Sequence, residues 1–127
     1  MTMPSRHREA LAASCALEVT ITRHPDGCLL VYPRPRWEEK RAALAALPYS
    51  ARFLQRIVLG SAVDLALDKA GRLLIPADLR TLAGIDKDVA LVGMGEHFEI
   101  WDAARLAKLE EEAAAAGFDA AAGDFQF

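Results

Sequence analysis

The sequence predicts an α+β fold of two pseudo-repeated halves with short helices, the first half truncated. Three observations carry this prediction. Short stretches alternate apolar and polar residues with period 2, as at Val63, Leu65 and Leu67 against Asp64, Ala66 and Asp68. Asp-Gly turn signals separate such stretches in pairs. And the order of element types in the first half recurs in the second.

Taken in order, residues 5–13 are expected to form a first helix. Residues 17–22 alternate as a strand, His24-Pro25-Asp26-Gly27 makes a hairpin turn, and residues 28–32 return. Pro33 and Pro35 end that strand. Residues 37–47 place Trp37, Leu44 and Leu47 on one helical face, with Lys40 and Arg41 beside it. Residues 50–59 form a further helix with Phe53, Leu54, Ile57 and Val58 inward, while Arg52 and Arg56, four apart, share the outer face.

The chain is organised around residues 68–76. Here a strand ends at Asp68, a tight turn carries Lys69 and Arg72, and Gly71 supplies a positive φ. The apolar run Leu73-Leu74-Ile75 follows as a strand, and Pro76 suits the first turn of a helix over 77–83 stopped by Gly84. Residues 89–92 and 97–101 are strands joined at Gly93-Met94-Gly95. Asp102 caps a helix over 103–116, which Gly117 ends.

The repeat sets Met3-Pro4-Ser5-Arg6-His7-Arg8 against Ile75-Pro76-Ala77-Asp78-Leu79-Arg80. It also sets residues 28–33 against 97–102. The resulting division is a first half at 1–48, a linking helix at 49–61, a second half at 62–116 and a flexible tail at 117–127. The tail carries three phenylalanines that could dock on a neighbour.

The unit strand–DxxGR–strand–Ile-Pro–helix resembles the AbrB-type swapped-hairpin DNA-binding module. Asp26-Gly27-Cys28-Leu29-Leu30-Val31-Tyr32-Pro33, Trp37-Glu38-Glu39, Ala51-Arg52-Phe53, Gly60-Ser61-Ala62 and Phe98-Glu99-Ile100-Trp101 are similar to the MraZ family. That resemblance spans roughly residues 3–112. It implies two AbrB-like halves and a regulator of the division and cell-wall gene cluster. It further implies ring-like homo-oligomers that read short direct repeats in promoter DNA, in the cytoplasm at the nucleoid. The family carries the hairpin twice and this sequence carries it once, since Met1-Thr2 aligns with Leu73-Leu74. Unpaired strand edges are therefore expected, with residues 63–75 poorly ordered or aggregation-prone. Met1 is expected to be an internal methionine of a longer reading frame. A shortened variant completed by another subunit and a nonfunctional remnant are the alternatives.

By the same resemblance, Arg72 of the turn and Arg80 of the following helix contact DNA, and Arg8 does so as the repeat counterpart of Arg80. Lys69 and Arg6 join them on charge and position alone. Asp68 and Gly71 shape the turn. The planar guanidinium fork suits both phosphate and guanine.

Net charge is −3, which disfavours nucleic acid only mildly because it is unevenly spread. Residues 1–60 hold nine Lys/Arg against five Asp/Glu, whereas residues 61–127 hold six against thirteen. A local basic face suffices for phosphate contact. Cys15 and Cys28 lack CxxC spacing and read as buried free thiols of a reducing compartment. His7, His24 and His97 lack metal-ligand spacing. With no catalytic constellation, no cofactor motif and no apolar run long enough for a membrane span, the expectation is a DNA-binding regulator without cofactor, small-molecule substrate or enzymatic activity. The alternative is an oligomeric interaction protein that has lost DNA binding with its first hairpin.

Overall fold

The computed structural model describes residues 1–8, 12, 17–117 and 123. Two hairpins form its centre. Strands β1 (Glu18–Arg23) and β2 (Leu29–Pro33) are joined by the His24–Gly27 turn, and β4 (Val89–Gly93) and β5 (Phe98–Asp102) by the turn at Gly95. Strand β3 (Val63–Ala66) pairs with the outer side of β1, and β2 pairs with β5. The result is one antiparallel five-stranded sheet in the order β3-β1-β2-β5-β4. Strands from both ends of the chain therefore share a single sheet.

The β2 sequence Leu29-Leu30-Val31-Tyr32 is apolar at every position because both faces of the sheet are covered. Leu29, Val31 and Ile100 point into the larger core with Val19, Ile21, Met3, Leu67, Leu73, Ile75 and Leu79. Leu30, Tyr32 and Trp101 point the other way, onto Trp37 and Val58. Those two come from α1 (Arg34–Ala45) and α2 (Arg52–Val58), which is preceded by a 3-10 turn at Tyr49–Ala51. Helix α1 begins three residues earlier than the alternation suggests, because Pro33 at its N-cap and Pro35 in its first turn both have φ suited to a helix start. Its Arg34 donates to the carbonyls of Val19 (3.0 Å) and Leu65 (3.2 Å), bracing β1 against β3.

Three expectations about packing are corrected. Phe53 does not face inward: it is 76% exposed, and Gln55 is buried in its stead. The helix starts only at Arg52, so its inward stripe runs through Leu54, Gln55 and Val58, and Phe53 falls outside it beneath the Arg56 guanidinium. Leu47 is exposed because α1 ends at Ala45, which breaks the helical period before it. Residues 73–75 do not form a strand. Arg72 makes a single antiparallel bridge with Thr2, and Leu73 exchanges hydrogen bonds with Met1 at 2.7 and 2.9 Å. No ladder continues past Leu73, and Leu74 is 84% exposed. Within residues 63–75, expected to be poorly ordered or aggregation-prone in the chain made alone, Leu67, Leu73 and Ile75 are buried.

The remaining elements are α3 (Ala77–Leu82) and α4 (Ala103–Ala115). The Asp102 carboxylate accepts from the Arg105 N–H at the N-terminus of α4, and Gly117 ends the helix with φ +81°. Of the expected first helix, residues 5–8 and 12 are helical, and the rest lies outside the described residues. Cys15 and the tail after Gly117, apart from Gly123, lie outside them too. Cys28 is a buried free thiol whose burial raises its pKa from 9.0 to about 12, with Glu99 and Asp26 adding to the effect.

Candidate nucleic-acid interface

The turn after β3 is built by its own first residue. Asp68 Oδ1 accepts from the backbone N–H of Ala70 (2.9 Å) and of Arg72 (2.8 Å), an Asx-type arrangement that closes the loop without help from distant parts of the chain. The backbone adds Gly71 N–H to Asp68 C=O (2.9 Å) and Asp68 N–H to Arg72 C=O (3.0 Å). Gly71 sits at φ +76°, a left-handed conformation that favours glycine. The second Asp68 oxygen, Oδ2, accepts from Arg72 Nε at 2.7 Å. The Arg72 backbone N–H is the leading cause that holds the Asp68 carboxyl below the usual carboxylate range; the Arg72 guanidinium and the Ala70 N–H act the same way.

A third basic residue arrives from far away in sequence. Arg8 Nη1 donates to the Ala70 carbonyl at 2.9 Å, and its aliphatic stem lies over Gly71 so closely that a Cβ there would meet Arg8 Cδ at 2.5 Å. The N-terminal stretch that carries Arg8 is anchored by Met3, whose N–H donates to the Gly71 carbonyl at 2.7 Å and whose side chain is buried. Lys69, Arg72 and Arg8 thus cluster on one five-residue loop. Lys69 and Arg72 are exposed.

Arg80 and Arg6 are held elsewhere. Arg80 Nη2 donates to the Asp86 carbonyl at 2.7 Å, closing the loop that follows α3. Arg6 Nε donates to His7 Nε2 at 3.3 Å, and the His7 ring meets Phe98 of β5 edge-on at 4.7 Å. Arg8 and Arg80 both stand four residues past a proline on short helices, as the repeat sets them, but their partners differ: Arg8 grips the turn, whereas Arg80 braces a different loop. The sequence places Arg8 on a short helix next to the hairpin, but nothing in it marks the hydrogen bond to the Ala70 carbonyl.

The Asp68–Arg72 turn, α3, β4 and β5 all fall within residues 58–126, the stretch matched by the family described as "MraZ protein, putative antitoxin-like". Over its whole length the chain is also similar to proteins named "Transcriptional regulator MraZ". It is 56% identical over 127 residues to that of Herminiimonas arsenicoxydans, 54% to that of Bordetella pertussis and 53% to that of Cupriavidus taiwanensis. In each case the match covers 100% of this chain and 89% of the relative. The chain belongs to the MraZ family.

The loop of this MraZ-family chain gathers basic side chains around the one carboxylate of Asp68, which engages Arg72. Two exposed cations project from a turn made rigid by five internal hydrogen bonds of its own, and a third guanidinium lies against it. A rigid turn loses little entropy when it meets a partner. Among the described residues no group of three His, Cys, Asp or Glu side chains is arranged to hold a metal ion, and no helix is long and apolar enough to cross a membrane.

Proposed function

We propose that this chain is a cytoplasmic, nucleoid-associated transcriptional regulator that binds double-stranded promoter DNA with the face around the Asp68–Arg72 turn. Arg72 and Lys69 meet the duplex first, Arg8 supports them from the side, and Arg80 and Arg6 add flanking positive charge. The observation that carries this reading is the convergence of Lys69, Arg72 and Arg8 on a single rigid loop. The names of the relatives support the regulator role.

One turn neutralises too few phosphates for tight binding, so the reading includes an oligomer that repeats the contact along short direct repeats. The target it takes is the promoter of the division and cell-wall gene cluster. It also includes the two-half organisation, with halves at 1–48 and 62–116, a linker at 49–61 and a tail at 117–127. Support for the halves comes from the sheet register. Leu30 pairs with Glu99, its own counterpart in the repeat, with Leu29 opposite Ile100 and Val31 opposite Phe98 on either side. This is the pairing a local two-fold axis produces. Met1 and Leu73, also counterparts, exchange their hydrogen bonds in the same reciprocal way.

A second reading, an interaction protein without DNA binding, is favoured by the internal engagement of the guanidinium groups of Arg72, Arg8 and Arg80. One experiment separates the two: titration of the chain against DNA from upstream of its own gene cluster at two salt concentrations. Affinity that falls steeply with salt and exceeds that for scrambled DNA supports the regulator. Absence of binding at low salt supports the second reading.

A further inference from the structure

We infer that the exposed face of α2 and the protruding end of α4 are the two complementary halves of one head-to-tail contact between copies of this chain. The inference rests on the oligomeric part of the function proposed above and says which surfaces make the contact.

The first surface lies on the linker between the halves. Tyr49 and Phe53 are each 76% exposed, and Leu47 beside them is exposed as well. Arg52 sits over the Tyr49 ring at 5.3 Å and Arg56 over the Phe53 ring at 5.6 Å. Isolated exposed apolar residues need no explanation, but two aromatics, a leucine and two stacked arginines within ten residues have the composition of a binding hot spot. Neither arginine has a carboxylate partner among the described residues.

The second surface is the outer part of α4. This 13-residue helix buries none of its residues. Leu106 reaches the smaller core near Trp101, but from Ala107 to Ala115 every residue except Ala113 is exposed. A helix of this length is marginal in water without a packed face. Leu106, Leu109 and Ala113 recur at i, i+3 and i+7 and so form an apolar stripe. At 100° per residue, Glu110 borders that stripe on one side and Glu112 on the other, with Glu111 behind.

The two surfaces match in kind: apolar and aromatic with two cations on one, apolar with flanking carboxylates on the other. They stand on different parts of the fold, since α2 packs on β1 whereas α4 packs on β4 and β5. A contact between different patches of identical chains is heterologous, and it closes into a ring or extends as an open chain. The occupant we assign to each surface is accordingly a second copy. Charge complementarity of this kind also fixes the register of docking and suppresses wrong pairings.

The test is the mass of the full chain in solution, by sedimentation or light scattering, for Arg52→Glu/Arg56→Glu, for Glu110→Arg/Glu112→Arg and for all four changes together. Each pair alone is expected to reduce the assembly to monomer, while the four-fold variant and an equimolar mixture of the two pairs regain assembly. Far-UV circular dichroism and a melt on each variant separate loss of contact from loss of fold. For a variant that unfolds, Phe53→Ser and Leu109→Ser give the same reading without charge reversal. A monomeric unaltered chain overturns the inference, as does assembly that both charge reversals leave intact. Dimers that form only after residues 118–127 are deleted also overturn it, because the chain's own tail would then be the occupant. DNA binding measured in parallel keeps the questions apart: a monomer that still binds promoter DNA removes the interface and leaves the regulator standing.

Discussion

Asp68 Oδ2 accepts a 2.7 Å hydrogen bond from Arg72 Nε while its other oxygen holds the backbone of the same turn. The pair is exposed, so screening weakens its Coulomb attraction, and the geometry of the loop is its main consequence. Because the folded pKa of Asp68 lies below its unfolded value of 3.8, its contribution to stability is present above about pH 3.8 and fades as pH falls through the lower folded value. In Asp68→Asn that acid-side dependence is expected to disappear while the turn persists, since an amide oxygen still accepts from the Ala70 and Arg72 N–H groups. Melting temperature against pH from 2 to 6, for both proteins, checks this.

Gly71 and Gly84 both have positive φ, yet they differ in what surrounds them. A Cβ at Gly71 meets the Arg8 side chain at 2.5 Å, whereas at Gly84 nothing lies within 4 Å. Both alanine variants are expected to lose about 1–2 kcal/mol from backbone strain. Only Gly71→Ala is expected also to displace Arg8 and weaken DNA binding. Urea unfolding together with a DNA titration distinguishes the two effects.

Leu73 and Leu74 are neighbours with opposite fates, 0% and 84% exposed. Leu73→Ala is expected to cost about 2–5 kcal/mol of stability. Leu74→Ala is expected to stay within about 0.5 kcal/mol. Equal losses in urea unfolding would reverse the assignment of which side chain fills the larger core.

Burial pushes the pKa of the Cys28 thiol up to about 12 in the folded chain. Its thiolate fraction at pH 8 is therefore negligible, and burial blocks access as well. Alkylation at pH 8 should leave the Cys28 peptide unmodified until denaturant is added, as peptide mass spectrometry would record. With a folded pKa above the unfolded 9.0, the thiol favours the folded state fully below pH 9, and that contribution declines as pH rises toward 12.

Arg72→Ala is expected to weaken promoter binding by about 1–3 kcal/mol with relaxed specificity if the guanidinium reads a base, or uniformly with a shallower salt slope if it meets phosphate. Lys69→Ala should show the uniform pattern. Unchanged affinity for both at matched salt would remove the turn from the interface.

What the sequence by itself determined were the local units. Alternation at residues 17–22 and 63–68, the Asp-Gly turns and the Asp102 cap were legible because each depends on neighbours within a few residues. The Asp68–Arg72 turn is of the same kind, since all five of its own hydrogen bonds join residues no more than four apart. Tertiary structure decided the rest. Which strands meet across β2 and β5, and that β3 crosses to the outer side of β1, depend on burying both faces of one sheet, and period-2 alternation carries no record of a strand's partner. Phe53 faces water because the helix start at Arg52 sets its register against the sheet, and apolar character alone did not reveal that. Arg8 reaches Ala70 across 62 residues only because Met1, Thr2 and Met3 lie along Gly71–Leu73. A contact of that kind comes from packing distant segments together, so no local pattern could announce it.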